Sequence, residues 1–394
     1  MQSARKATPT LVYLVTEDWY FLSHRLPMAC AAQRAGYQVH VATRVGRGGR
    51  EIEAHGFHLH ALPWRRGSFN PVHVLAAVRA VRRLYRELSP DLVHHVALQP
   101  AIVGSLAAIG LPITCLNAVA GLGFAFTSPT KKALLVRALM TGLLRPLLNR
   151  ERAAVLVQNP DDRAEIAALG VAADRIFMIP GSGVDTERMT PLPEPEGAVT
   201  MAFVGRLLSD KGLLTLIAAH ELLAARGRPI RLLIAGEPDP ANAASIPEAV
   251  IATWRDRSGI EVLGHVGDIG RLWAAAHIAV LPSRREGLPK SLLEAAACGR
   301  PIVASDVPGC REIARPGVNA LLVPPDDPAA LAAAIDRLAL DGELRRRLGA
   351  AGRRLVETEF SSARIGREIV ALYDRLIERN RDPLPVLQGS TSGP

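Results

Sequence analysis

The sequence predicts an α/β protein of two successive doubly wound units, each a parallel sheet covered by helices. Short, nearly continuous apolar runs alternate with longer helical patterns along most of the 394 residues. The alternation pauses once, at residues 180–198, where Pro and Gly are frequent and no periodicity is present. A chain of this length is also too long for one hydrophobic core, so about two domains are expected.

The first unit is predicted to contain six strands, because its apolar runs are short and almost uninterrupted, as in buried parallel strands. The strand candidates are residues 11–16, 37–43, 57–63, 91–97, 112–119 and 153–159. The helix candidates between them include residues 24–35, 72–88 and 101–109. We assign residues 1–190 to this first domain.

The second unit repeats the pattern with six more strand candidates. These are residues 199–205, 230–237, 260–266, 277–283, 301–307 and 319–325. From about residue 328 to near residue 380 the pattern is helical, and the last residues form a polar tail that we expect to be disordered. We assign residues 191–365 to the second domain. Residues 366–394 are treated as a C-terminal helix, with the option of crossing back to the first domain, followed by the tail.

Composition is that of a globular protein, with 48% hydrophobic and 22% charged residues. The four cysteines are scattered without a C-x-x-C pair, which favours reduced thiols in the cytoplasm over a zinc or redox site. The N-terminal apolar run LVYLV is too short for a signal peptide. No apolar run reaches the roughly 20 residues that a membrane-spanning helix needs. We therefore expect a cytoplasmic protein.

The net charge of +9 is confined to the first half of the chain. Residues 1–190 hold 22 Lys and Arg against 13 Asp and Glu, whereas the remainder holds 25 of each. The first domain is therefore expected to face an anionic partner, either nucleic acid or an acidic membrane surface. Aromatic residues make up only 4% of the chain, which disfavours nucleic acid because stacking platforms are scarce.

Two cations follow the first strand of the second unit, in the stretch GRLLSDKG at residues 205–212. Arg206 lies at the strand end and Lys211 at the start of the next helix, and together they could hold two phosphoryl groups. The alternative is that both are merely solvated. No G-x-G-x-x-G, no G-x-x-x-x-G-K-[ST] and no Asp-x-Asp occurs. Phosphate would therefore be neutralised by side chains and backbone N–H groups, without a metal ion.

Two glutamates occupy the stretch SRREGLPKSLLEAAACG, which begins at residue 283. Glu286 lies in a predicted strand-to-helix loop and Glu294 within the helix that follows. Carboxylates accept hydrogen bonds from sugar hydroxyls, and the unpaired N–H groups at the helix start can receive an oxyanion. The alternative is that both are ordinary surface acids, one of them at a helix N-terminus where the dipole favours it.

These stretches together resemble the signature of retaining glycosyltransferases of family 4. The family's Glu-x(7)-Glu motif falls on Glu286 and Glu294, and its Gly-Arg-x(4)-Lys motif on Gly205, Arg206 and Lys211. VPGCREI and NALLVPP also match, although the second segment has Asn-Ala in place of the customary Asn-Gly. SHRLPMA, VAGLGFAFT and QNPDD are typical of a subgroup that extends lipid-linked sugars. The resemblance implies the GT-B fold, in which two Rossmann-like domains face each other across a cleft.

The resemblance also implies roles for the matched residues. Arg206 and Lys211 would bind the donor diphosphate and stabilise the leaving group, while Glu286 would hold hydroxyls of the donor sugar, and these three are the expected catalytic residues. Glu294 would hold the ribose. The implied donor site comprises Gly205, Arg206, Lys211, Glu286, Gly287, Leu288, Pro289, Lys290 and Glu294. No protein nucleophile, metal or other cofactor is implied, since the nucleotide sugar is a co-substrate.

The acceptor would bind to the first domain, where the match is looser. The candidates are Trp19, Tyr20, His24, Arg25, His94, His95, Asn117, Gly121 and Gly123. Residues 127–150 combine five Lys and Arg with a surface rich in Leu, Ala and Val. This segment could lie on an anionic membrane, or it could be two ordinary buried helices with basic rims.

The resulting hypothesis is a retaining hexosyltransferase on the inner face of the cytoplasmic membrane. It would move a hexose or N-acetylhexosamine from a nucleotide diphosphate sugar, UDP-linked by preference, to a sugar carried on polyprenyl diphosphate. The competing hypotheses are a nucleotide-sugar 2-epimerase of the same fold and a non-catalytic sugar-nucleotide-binding subunit. The paired glutamates argue against the first, and the intact set of Arg206, Lys211, Glu286 and Glu294 argues against the second.

Overall fold

The computed structural model describes residues 8–64, 70–119 and 141–381, which form two parallel sheets with helices on their faces. The first sheet has seven strands in the order β3-β2-β1-β4-β5-β6-β7. They are β1 (Thr10–Glu17), β2 (Gln38–Arg44), β3 (His58–Ala61), β4 (Leu92–Val96), β5 (Thr114–Ala118), β6 (Ala153–Val157) and β7 (Ile176–Met178). The six predicted strands are confirmed. The missed strand, β7, is three residues long and half exposed, so its apolar run is too short to predict a strand.

The second sheet has six strands in the order β10-β9-β8-β11-β12-β13, and all of its pairings are parallel. They are β8 (Thr200–Val204), β9 (Arg231–Ala235), β10 (Ile260–Gly264), β11 (Ile278–Leu281), β12 (Ile302–Ser305) and β13 (Ala320–Val323). These six strands match the six that the sequence predicts. The prediction of an α/β fold with two doubly wound sheets is therefore confirmed.

Helices connect the strands and cover both sheets, as parallel sheets require. In the first domain they are α1 (Asp18–His24), α2 (Leu26–Arg34), α3 (Gly49–Ala54), α4 (Pro71–Leu88), α5 (Leu98–Ala107) and α6 (Pro160–Ala168). Later helices are α7 (Leu213–Ala225), α8 (Glu248–Arg255), α9 (Ile269–Ala274), α10 (Lys290–Ala297), α11 (Cys310–Ile313), α12 (Pro328–Leu340), α13 (Gly342–Glu359) and α14 (Ser362–Arg381). Within the described residues, none of the helices combines the length and the apolar character needed to cross a bilayer.

The last helix, α14, packs on the first domain and not on the second. Its buried side chains join the same core cluster as β1, β2 and β4, and they include Ile365, Ile369, Leu372, Tyr373 and Leu376. The hydroxyl of Tyr373 lies 2.8 Å from that of Tyr13 and 2.7 Å from Nδ1 of His94. The chain therefore crosses between the domains twice, once in the linker after β7 and once at the start of α14.

The two crossings are hydrogen-bonded to each other. Val184 N–H donates to the Phe360 carbonyl at 2.9 Å, and Ser362 N–H donates to the Val184 carbonyl at 2.8 Å. Gly183 has a φ of +69°, and a Cβ there would lie 2.7 Å from the Phe360 carbonyl oxygen. Only glycine permits this approach without strain. The crossings thus form one two-stranded junction between the domains.

Replacing Tyr373 with Phe should lower the free energy of unfolding by about 1–3 kcal/mol, because a buried histidine nitrogen and a buried phenol lose their shared partner. Chemical denaturation measures this loss. The control is Tyr20→Phe, since the Tyr20 hydroxyl has no hydrogen-bond partner within the described residues. A loss for Tyr373→Phe no larger than that of the control would contradict the stabilising role of the buried bonds.

Candidate active site

The two cations and Glu286 are brought together by the order of strands in the second sheet. Strands β8 and β11 are neighbours, with Ile278 paired to Met201 and Ala279 to Ala202. Parallel neighbours end at the same edge of a sheet, which is where α/β proteins bind ligands. The loop after β8 carries Arg206 and Lys211, and the loop after β11 carries Glu286. The structure therefore places these sequence-predicted residues side by side.

Lys211 and Glu286 form an ion pair at this edge. Lys211 Nζ lies 2.6 Å from Oε1 and 2.8 Å from Oε2 of Glu286, and Ser283 Oγ donates to the same Oε1 at 2.7 Å. Both side chains are largely buried, with 19% of Lys211 and 9% of Glu286 exposed. A partly buried pair with three short contacts is held more firmly than a surface pair, which is worth little.

A glycine makes this pair possible. Gly212 has a φ of +71°, and a Cβ at that position would lie 1.9 Å from the carbonyl oxygen of Pro282. The backbone after Lys211 therefore touches the backbone at the end of β11. Any larger residue would push the two loops apart. The close approach sets the separation of Lys211 and Glu286.

Arg206 has its own carboxylate partner, Asp239. Its Nη1 lies 2.8 Å from Asp239 Oδ2, and 41% of the Arg206 side chain is exposed. Gly205 N–H donates to the Ala235 carbonyl at 3.0 Å, which extends the pairing of β8 and β9 by one residue. A Cβ on Gly236 would lie 1.9 Å from the Gly205 carbonyl oxygen, so these strand ends also need glycine. The backbone of Arg206 therefore follows a closely packed strand end, and its side chain is partly exposed to solvent.

Glu294 lies inside helix α10 with only 9% of its surface exposed. Lys290, one helical turn earlier, has its Nζ 3.4 Å from Glu294 Oε1. Burial raises the pKa of the Glu294 carboxyl above its ordinary value, and the neighbouring Lys290 ammonium opposes that rise. A carboxylate in such a place costs stability, which is typical of a group retained for a ligand.

The loop between β11 and α10 is in close backbone contact with the segment VPGCREI. Gly309 has a φ of +78°, and a Cβ there would lie 2.4 Å from the Gly287 carbonyl oxygen and 2.5 Å from that of Glu286. On the other side, Asn159 of the first domain donates from Nδ2 to the Gly287 carbonyl at 2.9 Å. Pro289 caps the helix start with a φ of −73°. We call residues Arg285–Leu288 the donor loop.

On the first domain, His24 faces the cations of the second domain. Its ring stacks on Tyr20 with centroids 4.3 Å apart, and Trp19 meets Tyr20 edge-on with 41% of its surface exposed. Burial is the main cause that lowers the pKa of His24. Nearby positive charges add to the effect, and they belong to Arg25, Lys290, Arg206 and Lys211. A neutral imidazole therefore borders the cleft at pH 7.

Arg25 and His94 are buried polar residues of the first domain, exposed by 2% and 0%. Arg25 Nη1 donates to the His24 carbonyl at 2.8 Å, whereas Arg25 Nε and His94 Nε2 have no hydrogen-bond partner among the described residues. Within those residues Arg25 also has no carboxylate within ion-pair distance. A buried guanidinium without a counter-ion is costly, so an anionic or hydroxyl-bearing group is the expected partner.

His95 and Asn117 are engaged inside the domain. His95 Nδ1 lies 2.8 Å from Asn117 Oδ1 and its Nε2 lies 2.9 Å from the Tyr85 hydroxyl. Asn117 Nδ2 donates to the Ala154 carbonyl at 3.3 Å, and both residues are fully buried. These hydrogen bonds hold β4, β5 and α4 together, so His95 and Asn117 are structural residues of the first domain.

Some sequence-predicted residues lie outside the described part of the chain. Gly121, Gly123 and residues 127–140 are among them. In the remaining part of the basic segment, residues 141–150, Leu144, Leu147 and Leu148 are buried in the first domain. Arg150 donates to the Ser105 and Ala108 carbonyls. This described part therefore resembles an ordinary packed helix with a basic rim, although Leu143 is 38% exposed.

Three residues of the site were missed by the sequence reasoning, namely Asp239, Ser283 and Asn159. Asp239 contacts Arg206 from a loop without a motif. Ser283 begins the stretch that contains Glu286, and Asn159 belongs to QNPDD, so these two lie in recognisable stretches, but neither stretch indicates the contact that the residue makes. In the described residues, no group of three His, Cys, Asp or Glu is arranged to hold a metal ion.

Replacing Glu294 with Gln should raise the free energy of unfolding at pH 7. The native pKa of Glu294 is raised, so the unfolded state ionises first and the native state loses stability as the pH increases through that range. The gain should shrink as the pH falls through the native pKa and disappear below about 4.3, the ordinary value for Glu. Denaturation at several pH values measures it. The exposed Glu53→Gln is the control, and an equal pH profile in both variants would contradict the prediction.

Comparisons with known proteins identify the family to which the chain is similar. A family model described as "Glycosyl transferase 4-like" matches residues 10–159, and one described as "Glycosyl transferases group 1" matches residues 198–341. The putative glycosyltransferase EpsD of Bacillus subtilis is 28% identical, with 94% of this chain and 98% of EpsD covered. The N,N'-diacetylbacillosaminyl-diphospho-undecaprenol alpha-1,3-N-acetylgalactosaminyltransferase of Campylobacter jejuni is 26% identical, with 91% and 98% covered.

Solved structures show the same fold. Sucrose-phosphate synthase from Thermosynechococcus elongatus superposes with a TM-score of 0.78 at 22% identity, covering 94% of this chain and 99% of that one. Anabaena HepE in complex with UDP and glucose superposes with a TM-score of 0.76 at 18% identity, covering 92% and 99%. Two successive family models and relatives that are similar over 98% of their length support the same assignment, and the fold is consistent with it. The chain belongs to the family-4-type glycosyltransferases.

Proposed function

We propose that this enzyme transfers a hexose or N-acetylhexosamine, with retention of configuration, from a UDP-sugar to a sugar carried on polyprenyl diphosphate. The observation that carries the proposal is the pairing of Lys211 with Glu286 beside Arg206. Two cations that could bind a diphosphate and an acid that could bind sugar hydroxyls thus lie at one sheet edge. The choice of UDP is supported by the HepE complexes with UDP and UDP-glucose. The choice of acceptor is supported by the name of the Campylobacter relative, which acts on a diphospho-undecaprenol-linked sugar.

The donor diphosphate would exchange partners with the acids that now neutralise the cations. Lys211 is held by Glu286 and Arg206 by Asp239, so both ammonium and guanidinium groups are already positioned and partly desolvated. When phosphoryl oxygens bind these cations, Glu286 can turn its carboxylate to hydroxyls of the sugar. The cations then stabilise the charge that grows on the leaving diphosphate as the glycosidic bond breaks. That interaction is strongest in the transition state and therefore lowers the barrier.

Glu294 and the helix start would complete the donor site. A carboxylate buried in α10 can accept hydrogen bonds from the two ribose hydroxyls, which would compensate for its desolvation. The backbone N–H groups of Gly287, Leu288 and Lys290 would donate hydrogen bonds to phosphoryl or sugar oxygens. We propose that these groups and the two cations neutralise the diphosphate without a divalent metal. No side chain is assigned as a nucleophile, in keeping with attack by the acceptor hydroxyl on the face that the leaving group vacates.

The acceptor would bind on the first domain, opposite the cations. Trp19 offers an exposed aromatic surface for a sugar ring, and the neutral His24 can exchange a hydrogen bond with an acceptor hydroxyl. Arg25 Nε is a buried donor and His94 Nε2 is a buried donor or acceptor, according to its tautomer, and neither atom has a hydrogen-bond partner in the described residues. These two atoms suit an oxyanion or a hydroxyl of the acceptor.

A lipid-linked acceptor would bring the first domain to the cytoplasmic face of the membrane. Among the described surfaces, helix α4 fits an anionic membrane best. Its first turns expose Val72 by 71% and Leu75 by 48%. Its later turns carry Arg79, Arg82, Arg83 and Arg86. Apolar insertion followed by a basic row is the pattern of an interfacial helix.

A panel of nucleotide sugars tests the proposal directly. UDP-, GDP- and ADP-sugars are incubated with sugar-diphosphate-polyprenol in anionic vesicles or in neutral detergent, in buffer containing EDTA. Mass spectrometry should detect a lipid product heavier by one hexose or N-acetylhexosamine, with a UDP donor, and faster in the anionic vesicles. NMR of the product should show the anomeric configuration of the donor. Release of free or epimerised sugar without a lipid product would instead favour the 2-epimerase hypothesis.

Replacing Arg206 or Lys211 with Ala should lower kcat by about 10²- to 10³-fold, the usual cost of losing one group that stabilises a developing oxyanion. Steady-state kinetics with the donor found in the panel measures this. Lys211→Gln repeats the test with a polar side chain beside Glu286, and circular dichroism reports folding.

The matched control for both cations is Arg284→Ala. Arg284 belongs to the same region but pairs with Asp326, and 56% of its side chain is exposed. Its kcat should stay within about twofold, because exposed pairs contribute little. Near-normal turnover in folded Arg206→Ala and Lys211→Ala would reject the diphosphate assignment.

A further inference from the structure

The donor loop touches the first domain and the linker at three of its four residues. Arg285 Nη2 lies 3.3 Å from Glu165 Oε2 on helix α6. The Gly287 carbonyl accepts a hydrogen bond from Asn159. Leu288 packs against Gly181 in the linker, where an added Cβ would lie 2.8 Å from Leu288 Cδ2. The loop that carries Glu286 is therefore held from outside its own domain.

Asn159 is the buried centre of this contact, with 0% of its surface exposed. Its Oδ1 accepts a hydrogen bond from Asp162 N–H at 2.7 Å, which caps helix α6. Its Nδ2 donates to Asp162 Oδ2 at 3.0 Å and to the Gly287 carbonyl at 2.9 Å. One backbone donor and two acceptors define which side of the amide is oxygen and which is nitrogen. The donor group must therefore face the loop.

The consequence for the loop follows from the planarity of the peptide bond. The Gly287 carbonyl is held by Asn159 on one side and pressed by Gly309 on the other. In a trans peptide the carbonyl and the following N–H point in opposite directions. A carbonyl directed at the first domain therefore turns the N–H of Leu288 away from it. The same anchored peptide adjoins Glu286, whose carboxylate is held by Lys211 and Ser283.

We propose that Asn159 is a positioning residue, through which the first domain sets the donor loop of the second domain. In this arrangement Asn159 serves two purposes. It caps the start of helix α6, and it orients the peptide next to Glu286. The binding of the donor sugar is thereby coupled to the relative position of the two domains. The kinetic part of this inference rests on the proposed donor site, whereas the anchoring of the loop does not.

Two variants separate the anchoring from the helix cap. Asn159→Ser keeps a good N-cap but cannot reach the Gly287 carbonyl. The double change Asn159→Asp with Asp162→Asn keeps the cap and the bond between the two side chains, with the donor reversed, but presents only oxygen to that carbonyl. Asp341→Ser is the matched control, because Asp341 caps α13 by accepting from Leu344 N–H at 2.8 Å. Within the described residues, Asp341 has no hydrogen bond or ion pair with the donor loop.

Hydrogen exchange measured by mass spectrometry decides the anchoring without any substrate. The peptide of residues 284–293, in which the N–H groups of Arg284, Leu292 and Leu293 donate backbone hydrogen bonds, should exchange about tenfold faster in both Asn159 variants and at an unchanged rate in Asp341→Ser. A tenfold change is the effect of losing one hydrogen bond of roughly 1.4 kcal/mol. Unchanged exchange of the loop in both variants would overturn the proposal. So would an increase spread evenly over both domains together with a lower Tm, since that is the result of a helix cap alone.

Kinetics then tests the coupling. With the donor that the panel identifies, kcat/KM for the donor should fall about tenfold in both variants while KM for the acceptor is unchanged. Equal kinetics with faster loop exchange would overturn the coupling to the donor. If the wild-type enzyme turns over no UDP-sugar, the proposed function fails, and the exchange experiment still gives its own answer.

Discussion

The Lys211–Glu286 ion pair is the contact on which the arrangement of the site depends. It joins residues 75 positions apart, and it exists because β8 and β11 are neighbours in the sheet and Gly212 lets their following loops touch. The pair orients both groups before any ligand arrives. Since the two charges neutralise each other, the site can be partly buried without an isolated charge. Ser283 adds a third contact to the carboxylate through its hydroxyl.

The remaining charges follow the same logic to different extents. Arg206 has Asp239 as its partner, whereas Glu294 has only a 3.4 Å contact with Lys290 and is nearly buried. Arg25 is buried with no carboxylate partner in the part of the chain that the structure describes. A buried charge lowers the free energy of unfolding more when fewer opposite charges and hydrogen bonds surround it. Such costs are tolerated at functional sites, where a ligand supplies the missing partner.

The two domains are linked by more than a flexible connection. The linker and the start of α14 are hydrogen-bonded to each other, and α14 then fills the core of the first domain up to Tyr373 and beyond. Tyr373 in turn holds His94, a candidate acceptor-side residue. Asn159 of the first domain donates a hydrogen bond to the Gly287 carbonyl in the donor loop. The C-terminal helix thus supports the first domain, and Asn159 of the first domain contacts the donor loop of the second.

Much of this protein could be predicted from residue order. Twelve of thirteen strands were predicted, because burial of parallel strands leaves short apolar runs that are readable locally. The motif residues Arg206, Lys211, Glu286 and Glu294 were also identified, because they lie at predicted strand ends or in the helix that follows one. Partners could not be identified in this way. Asp239 is 33 residues from Arg206, and Asn159 is 128 residues from Gly287. His94 and His95 point to opposite faces of one strand. The alternation does not predict that both ring nitrogens of His95 are hydrogen-bonded to Asn117 and Tyr85. Periodicity reports which face of a strand or helix is buried, whereas the partner of a polar atom depends on which distant segments the folded chain brings within 3 Å.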